Sequence, residues 1–512
     1  HMLMWVMSDR AIPRSFATMQ GFGVHTFRLV NDAGESVFVK FHWSPMAGTH
    51  SLVWDEAVKI SGADPDYHRR DLWERIESGA YPEYELGVQI FTEEQAEKFS
   101  FDILDATKIV PEELVPIQPV GRMVLNRNPD NFFAETEQVA FCTAHVVPGI
   151  DFSNDPLLAG RIHSYVDTQI SRLGGPNFHE IPINAPVAQV HNNQRDGMHR
   201  QAIARGRVSY EPNSLAGGCP FQAGAAQGFV TVPARLQARD DEAQVRGKPE
   251  KFADHYTQAK LFYESQTPVE QAHIAAAFRF ELSKVTVPAI RERMVASLRN
   301  ASEDLARKVA QDLGMAELPE AMPRALARPA RPEVANSPAL SLMARPGDGS
   351  IAGRKVALLV APGVDGQALA ALQSALLEGG AVPRLVGLRI GPVATASGEA
   401  LDADASLENE PGFLFDAIAL PDGVEGVNAL AADAHTMEFI KDQYRHCKAI
   451  LALGASRQLL EAAGIPVQLA NGKGDSGLMV AEAGGADAAI REFIAAVALH
   501  RHFGRETDPP KV

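Results

Sequence analysis

The period of hydrophobic and polar positions changes repeatedly along this chain. Between residues 20 and 60 the two alternate: "HTFRLV", a turn at "NDAGE", then "SVFVKFHW". Runs of β-branched and aromatic residues broken by Asn, Asp and Gly predict a hairpin. Residues 64–80 ("DPDYHRRDLWERIESG") predict a helix opened by Asp-Pro and closed by Gly79. Strand-like segments follow around 85–92 and 120–126. Residues 175–250 show little period and are rich in Asn, Gln, Pro, Arg and Gly. That is long for a loop, and it predicts an extended segment wrapping over a partner surface.

From 252 to 315 the period becomes helical. In "QTPVEQAHIAAAFRFELSKV" Thr267 is placed to cap a helix, with Pro268 at its first position and Glu270 two further on, a capping box. Residues 318–350 are Pro/Ala/Arg-rich without an apolar face and read as a semi-rigid linker. Beyond them "KVALLVAPGVDG", "FDAIALPDG" and "AILALG" are short, continuously apolar strands alternating with helices such as "QALAALQSALLEGG". That alternation predicts a parallel, doubly wound sheet over residues 351–512.

Composition narrows the class. A chain of 512 residues exceeds one core, so roughly two to four domains are expected. The net charge of −16 argues against a nucleic-acid or anionic-membrane partner, because phosphate binding needs concentrated positive charge. No stretch approaches the ~18 uninterrupted apolar residues of a transmembrane helix. Cys142, Cys219 and Cys447 cannot build a disulfide framework, and no CxxC or Cys/His metal spacing occurs. "HMLMWVMSDR" has no basic start and no clean hydrophobic run, and His1-Met2 reads as a remnant of cloning. A cytoplasmic location is the expectation.

The stretch "GRIHSYVDTQISRLGG" (160–175) sets Arg161, Tyr165, Gln169 and Arg172 at spacings of four, four and three. On a helix all four share one face, which then carries little apolar material. One reading is a surface pair stacking on itself. The other is metal ligation: a phenol with a pKa of ~10 binds ferric iron as phenolate, and a cation one turn away favours that charged form. Spacing alone leaves both open.

The flanks add a resemblance. "MSDRAIPRSFATMQGFGVHTFRLVN" (7–31), "RNPDNFFAETEQVAF" (127–141), "HVVPGIDFSNDPLLAGRIHSYVDTQISRLGGPNFHEIPIN" (145–184) and "HNNQRDGMH" (191–199) together resemble the monofunctional haem catalases. The likeness is collinear over residues 3–315, and the α/β tail resembles the large-subunit branch. It implies a partial catalase-type α+β barrel with its proximal haem helix over 3–174 and the wrapping segment over 175–250. A helical domain over 251–317, the linker over 318–350 and a C-terminal flavodoxin-like α/β domain over 351–512 complete the expected order. It further implies haem, in its b or oxidised d form, hydrogen peroxide as substrate, and a homotetramer. By resemblance Tyr165 is the proximal tyrosinate on iron. Arg161 bonds the phenolate and keeps it ionised, with His25 and Asp155 as that arginine's partners. Gln169 and Arg172 match positions at the haem edge and a propionate, and Val24 and Leu157 match apolar positions against the macrocycle. The plain alternative for His25 is a strand histidine held by the backbone. Cys142 stands where relatives carry a histidine or cysteine joined to the tyrosine Cβ, so it is either a thioether partner of Tyr165 or an inert buried thiol.

The resemblance also says what these residues lack. Peroxide dismutation in the family uses a distal histidine that moves a proton between the peroxide oxygens, and a distal asparagine. Their motifs, the histidine's of the type V-H-A-R-G, do not occur in this sequence. The expectation is a chain shortened at its N-terminus, carrying the proximal half of a haem pocket and doubtful activity alone. The C-terminal segment resembles class I glutamine amidotransferase-like domains, but Gly454 stands at the nucleophile position, with Ala455 and Ser456 next. No hydrolase activity is expected there. A stabilising or chaperone-like role for that domain is the alternative function, and haem binding with peroxidase activity a further one.

Overall fold

An antiparallel sheet organises the first third of the chain. The computed structural model describes residues 1–187, 196–203, 205–208, 210, 212–223, 250–326 and 330–512. Most of the expected wrapping segment therefore lies outside the described residues. After helix α1 (Met2–Val6) come strands β1 (Gly21–Phe22), β2 (Phe27–Val30) and β3 (Ser36–Pro45). The β2–β3 hairpin forms where the alternation predicts it, closed by the Asn31 Oδ1 accepting the Glu35 backbone N–H at 2.8 Å. Helices α2 (Trp54–Ala63) and α3 (Tyr67–Glu77) follow, then β4 (Glu83–Phe91), α4 (Glu93–Lys98), β5 (Gln118–Val124) and β6 (Ile150–Phe152). The sheet order is β5-β4-β3-β2-β6, with β1 also on β3, and all pairs are antiparallel. It curls into a half-barrel whose β5 edge is exposed along nearly its whole length.

Helix α5 (Pro156–Leu173) leaves this sheet directly after β6. Asp155 caps it, Pro156 occupies its first turn, and Gly174 ends it in the left-handed region at φ +86°. Farther on, α6 (Thr257–Glu264), α7 (Pro268–Ser283), α8 (Pro288–Leu298) and α9 (Glu303–Asp312) pack around Phe262, Ile274, Phe278, Leu305 and Val309. The Thr267 capping box forms as read, with the Thr267 Oγ1 accepting the Glu270 N–H. Glu270 does more than the sequence disclosed. Fully buried, its carboxylate also accepts the Ser341 hydroxyl at 2.8 Å and the Leu342 N–H at 2.9 Å. Arg10 donates to the Leu340 carbonyl from the other side. The Pro/Ala/Arg-rich stretch is thus pinned to both the barrel and the helices.

The remainder is α/β. Strands β7 (Lys355–Val360), β8 (Val382–Gly387), β9 (Gly391–Ala394), β10 (Ala400–Ala403), β11 (Ala405–Ser406), β12 (Ala417–Leu420), β13 (Ala449–Leu453) and β14 (Leu478–Ala481) alternate with α10 (Gly366–Glu378), α11 (Val424–Ala431), α12 (Ala434–Arg445), α13 (Arg457–Ala462) and α14 (Ala486–Ala498). The main sheet runs β11-β8-β7-β12-β13-β14, wholly parallel, while β9 and β10 form a separate hairpin. Leu369, Leu372 and Phe493 cover one face with Leu358; Val427, Phe439 and Leu459 cover the other with Leu359 and Ile418. Covered on both faces, the strands read as unbroken apolar runs. Among the described residues no helix is long and apolar enough to cross a membrane.

Buried charges join this domain to the rest. Arg14 has no exposed surface and holds Asp416 through two bonds, at 2.5 and 2.7 Å, and Asp71 at 2.7 Å. Asp71 also takes Arg75 and the Ser15 hydroxyl. Glu56 sits between Lys448 at 2.6 Å and Arg501 at 2.9 Å. Burial pushes the Glu56 carboxyl up, but those two cations outweigh it and hold it at about 2. Lys448, sealed from water and sharing its carboxylate with Arg501, is pulled down to about 8. His446 and Asp442 converge with Asp55, and the Lys59 ammonium already lies between the two carboxylates.

His273 on α7 bridges Asp9 at 2.7 Å and Glu506 at 2.8 Å. Burial alone would lower its pKa; the two carboxylates raise it to about 10. A raised histidine contributes stability that is complete below its unfolded value of ~6.5 and lost as pH rises through about 10. Thermal unfolding of the chain and of His273→Gln, followed from about pH 7 to about pH 11, should therefore converge at the alkaline end. A constant gap across that range would refute the charge assignment.

Candidate functional site

Register places the site's first residues. Phe22 pairs with His42 and Phe27 with Val39, so residues 23–26 oppose only residues 40 and 41. Four against two is a bulge, a device that re-aims side chains beside functional sites. Gly23 donates to the Phe41 carbonyl at 2.7 Å, and a Cβ there would lie 2.8 Å from that oxygen, so only glycine fits. Thr26 is tied down by its hydroxyl on the Ile103 carbonyl and by the Ser153 hydroxyl on its own carbonyl. Val24 and His25 are what the bulge presents.

His25 meets α5 through Asp155. That carboxylate is fully buried. Its Oδ1 accepts the Leu157 and Leu158 N–H groups at 2.9 and 3.1 Å, and its Oδ2 contacts His25 Nδ1 at 2.9 Å. His25 Nε2 lies 2.9 Å from Arg161 Nη1. A guanidinium has donors only, so Nε2 must accept, and the ring proton therefore sits on Nδ1 and is donated to Asp155. The imidazole is neutral, held between an anion and a cation. Tyr165 follows Arg161 by one turn on the same face, half-buried, and its hydroxyl makes no hydrogen bond among the described residues. Val24 and Leu157 leave 39% and 44% of their surface exposed.

The other expected residues lie along the same helix. Gln169 donates to the Phe141 carbonyl at 3.1 Å and accepts from Arg172 at 2.6 Å. Arg172 donates to the carbonyls of Glu137 and Val139, both at 2.6 Å. In this structure both side chains brace residues 137–141 against α5. Half-buried Cys142 comes next in the chain and is a free thiol. Far from this site, Gly454 adopts φ +54° at the end of β13. A Cβ there would fall on the Asp422 carboxylate, which accepts the Gly423 and Ala455 N–H groups. Ser456 is turned inward onto the Pro421 carbonyl. Sequence reading missed Ser153 and Lys40; for Lys40 the signal was a charge in the middle of the apolar run "SVFVKFHW".

Three family models match: "Catalase" over residues 1–217, "Catalase-related immune-responsive" over 249–313, and "C-terminal domain found in long catalases" over 352–507. Catalase HPII of Pseudomonas putida is 51% identical over 510 residues, covering 99% of this chain and 69% of that protein. The chain belongs to the catalase family. Catalase HPII of Mycobacterium avium is 49% identical, over 99% of this chain and 71% of its own length. Catalase-2 of Bacillus subtilis is 46% identical over the same shares. Haem is the cofactor of catalases, with tyrosine as iron ligand.

The carboxylate's double duty can be separated. Asp155→Ala should cost the helix about 1–2 kcal/mol, read as faster amide exchange across residues 157–161. Asp155→Asn should retain that protection, because Asn caps as well as Asp, yet change the His25 ring nitrogens in NMR. Parent-like exchange in the alanine variant would refute the cap.

Proposed function

We propose that this chain forms the proximal side of a haem pocket that dismutes hydrogen peroxide, 2 H2O2 giving 2 H2O and O2. The observation that carries the reading is the Asp155–His25–Arg161 chain arriving one turn from Tyr165 on a single face of α5. The residues present suit haem. An unbonded phenol offers one oxygen for iron, and Val24 and Leu157 offer apolar surface for a flat macrocycle. Haem, when bound, supplies the exchange of electrons with peroxide; the tyrosine holds the iron.

The protein's part is electrostatic. Arg161 carries its charge one turn from the phenol on the same helix. Neutral His25 accepts from Arg161 and so fixes where that charge sits, while Asp155 fixes the tautomer of His25. Gln169 and Arg172 would lie at the haem edge, and they brace the segment that ends in Cys142. We place Cys142 as the thioether partner of the Tyr165 Cβ. Sγ and Cβ each give up one hydrogen, and one peroxide takes both, with the two electrons, to become two waters. Either haem b or its oxidised d form fits, and the pyridine haemochrome spectrum separates them.

The C-terminal domain we read as flavodoxin-like. With the two-residue β11 set aside, its sheet has the 2-1-3-4-5 order of that fold. Asp422 fills the place a nucleophile would need at Gly454, so the domain acts by burial and charge pairing at the seam. We place the protein in the cytoplasm, in line with its free cysteines, and read the working form as a homotetramer.

Two experiments test this. The chain reconstituted with haem should show a ferric-phenolate signature that Tyr165→Phe abolishes, and oxygen release from peroxide should fall with it. A retained signature in the variant would sink the ligand assignment. After peroxide turnover, peptide mass spectrometry should find Cys142 and Tyr165 in one cross-linked species short of two hydrogens. Fully alkylatable Cys142 would end the thioether.

A further inference from the structure

Lys40 is a buried cation with no ion pair among the described residues. It retains 4% of its surface, and its ammonium donates to the Val24 carbonyl at 3.0 Å. Burial pulls its pKa down to about 8, against the upward pull of Asp155, Asp105 and Asp102. A lysine sealed off without a carboxylate partner is an expensive residue for a sheet to keep. A leucine or methionine would fill the same volume at less cost. Its position explains its retention. It stands on β3 opposite the bulge, where four residues face two and the ladder cannot supply every bond. Phe41 takes the Gly23 N–H, and Lys40 supplies the donor that the Val24 carbonyl lacks.

We infer that Lys40 is a positioning residue for the proximal site: by holding the Val24 carbonyl it fixes the bend that presents His25 to Arg161. The inference rests on the haem-pocket reading above only for its consequence at iron, not for its geometry. Val24 and His25 are adjacent, so a peptide plane pinned at one side orients the next ring. The same ammonium lies in the field of Asp155, the carboxylate that accepts from His25 Nδ1. His42 and Glu112 also line the cavity of about 190 Å³ that opens beside Lys40. That cavity gives an arginine room to take over both the charge and the bond.

Three chains decide it: the parent, Lys40→Met and Lys40→Arg. Without haem, amide exchange in residues 23–26 should quicken about tenfold in the methionine variant, while β3 and β4 keep their protection. The arginine variant should exchange like the parent. With haem, the iron–phenolate stretch in resonance Raman should shift in Lys40→Met and return in Lys40→Arg. Unchanged exchange in Lys40→Met overturns the positioning role. Faster exchange with an unmoved Raman band overturns its connection to the site, leaving a strut of the sheet. Thermal unfolding guards against collapse: Lys40→Met leaves the Val24 carbonyl without its donor, so that variant should melt lower than the parent but still in one cooperative transition. Failure of the haem-pocket reading is visible separately, as a phenolate signature surviving in Tyr165→Phe, and the haem-free exchange result stands apart from it.

Discussion

The site hangs on one carboxylate. Asp155 has two oxygens and uses them on two different elements: one ends the orphaned N–H groups of α5, the other receives the ring proton of His25. Neither use would be as firm alone. The cap fixes the start of the helix, and with it the direction in which residues one and two turns later project. The histidine contact fixes the ring whose far nitrogen accepts from Arg161. A fully buried anion would be costly without partners; here two amides and an imidazole satisfy it, and Lys40 supplies the nearby positive field. Strand and helix are thus registered against each other by chemistry that also sets the charge beside Tyr165.

The C-terminal domain is attached by a comparable logic on a larger scale. Hydrophobic faces alone would let two domains slide, because apolar contact is non-directional. Arg14 cannot slide: its fork meets both oxygens of Asp416 and one of Asp71, residues far apart in sequence. Buried ion pairs of this kind are weak contributors to net stability, since desolvation cancels much of their attraction. What they supply is a single relative placement. Glu56 between Lys448 and Arg501, and His273 between Asp9 and Glu506, repeat the arrangement at two other points of the seam.

Local signals were legible in the sequence and long-range ones were not. The Asn31 turn, the helix closed by Gly79, the Thr267 box and the apolar parallel strands all follow from residues within a few positions of each other. Arg161 and Tyr165 were legible as neighbours on a helix, but spacing could not tell a stacked surface pair from an iron ligand; only the flanking resemblance favours the ligand. Gln169 and Arg172 were read toward the haem, and the backbone carbonyls they brace lie some thirty positions earlier, beyond any local pattern. Glu270 was visible as a cap and invisible as the clamp on Ser341 and Leu342, because that second role needs a partner 71 residues away. The linker's composition was informative, whereas its anchoring was not.

The bulge shows why fold and chemistry cannot be assigned separately here. A curling antiparallel sheet needs places where one strand carries extra residues, since the added twist there bends the barrel. Each such place leaves peptide groups that the ladder does not bond, and each demands a side chain from the opposite strand. Lys40 answers that demand, and so a charge enters an otherwise apolar run. The four residues that oppose only two include Val24 and His25. Curvature therefore creates both the histidine's reach toward Arg161 and the need for the cation behind it. An uncurled strand would need no Lys40, and it would deliver no His25 either.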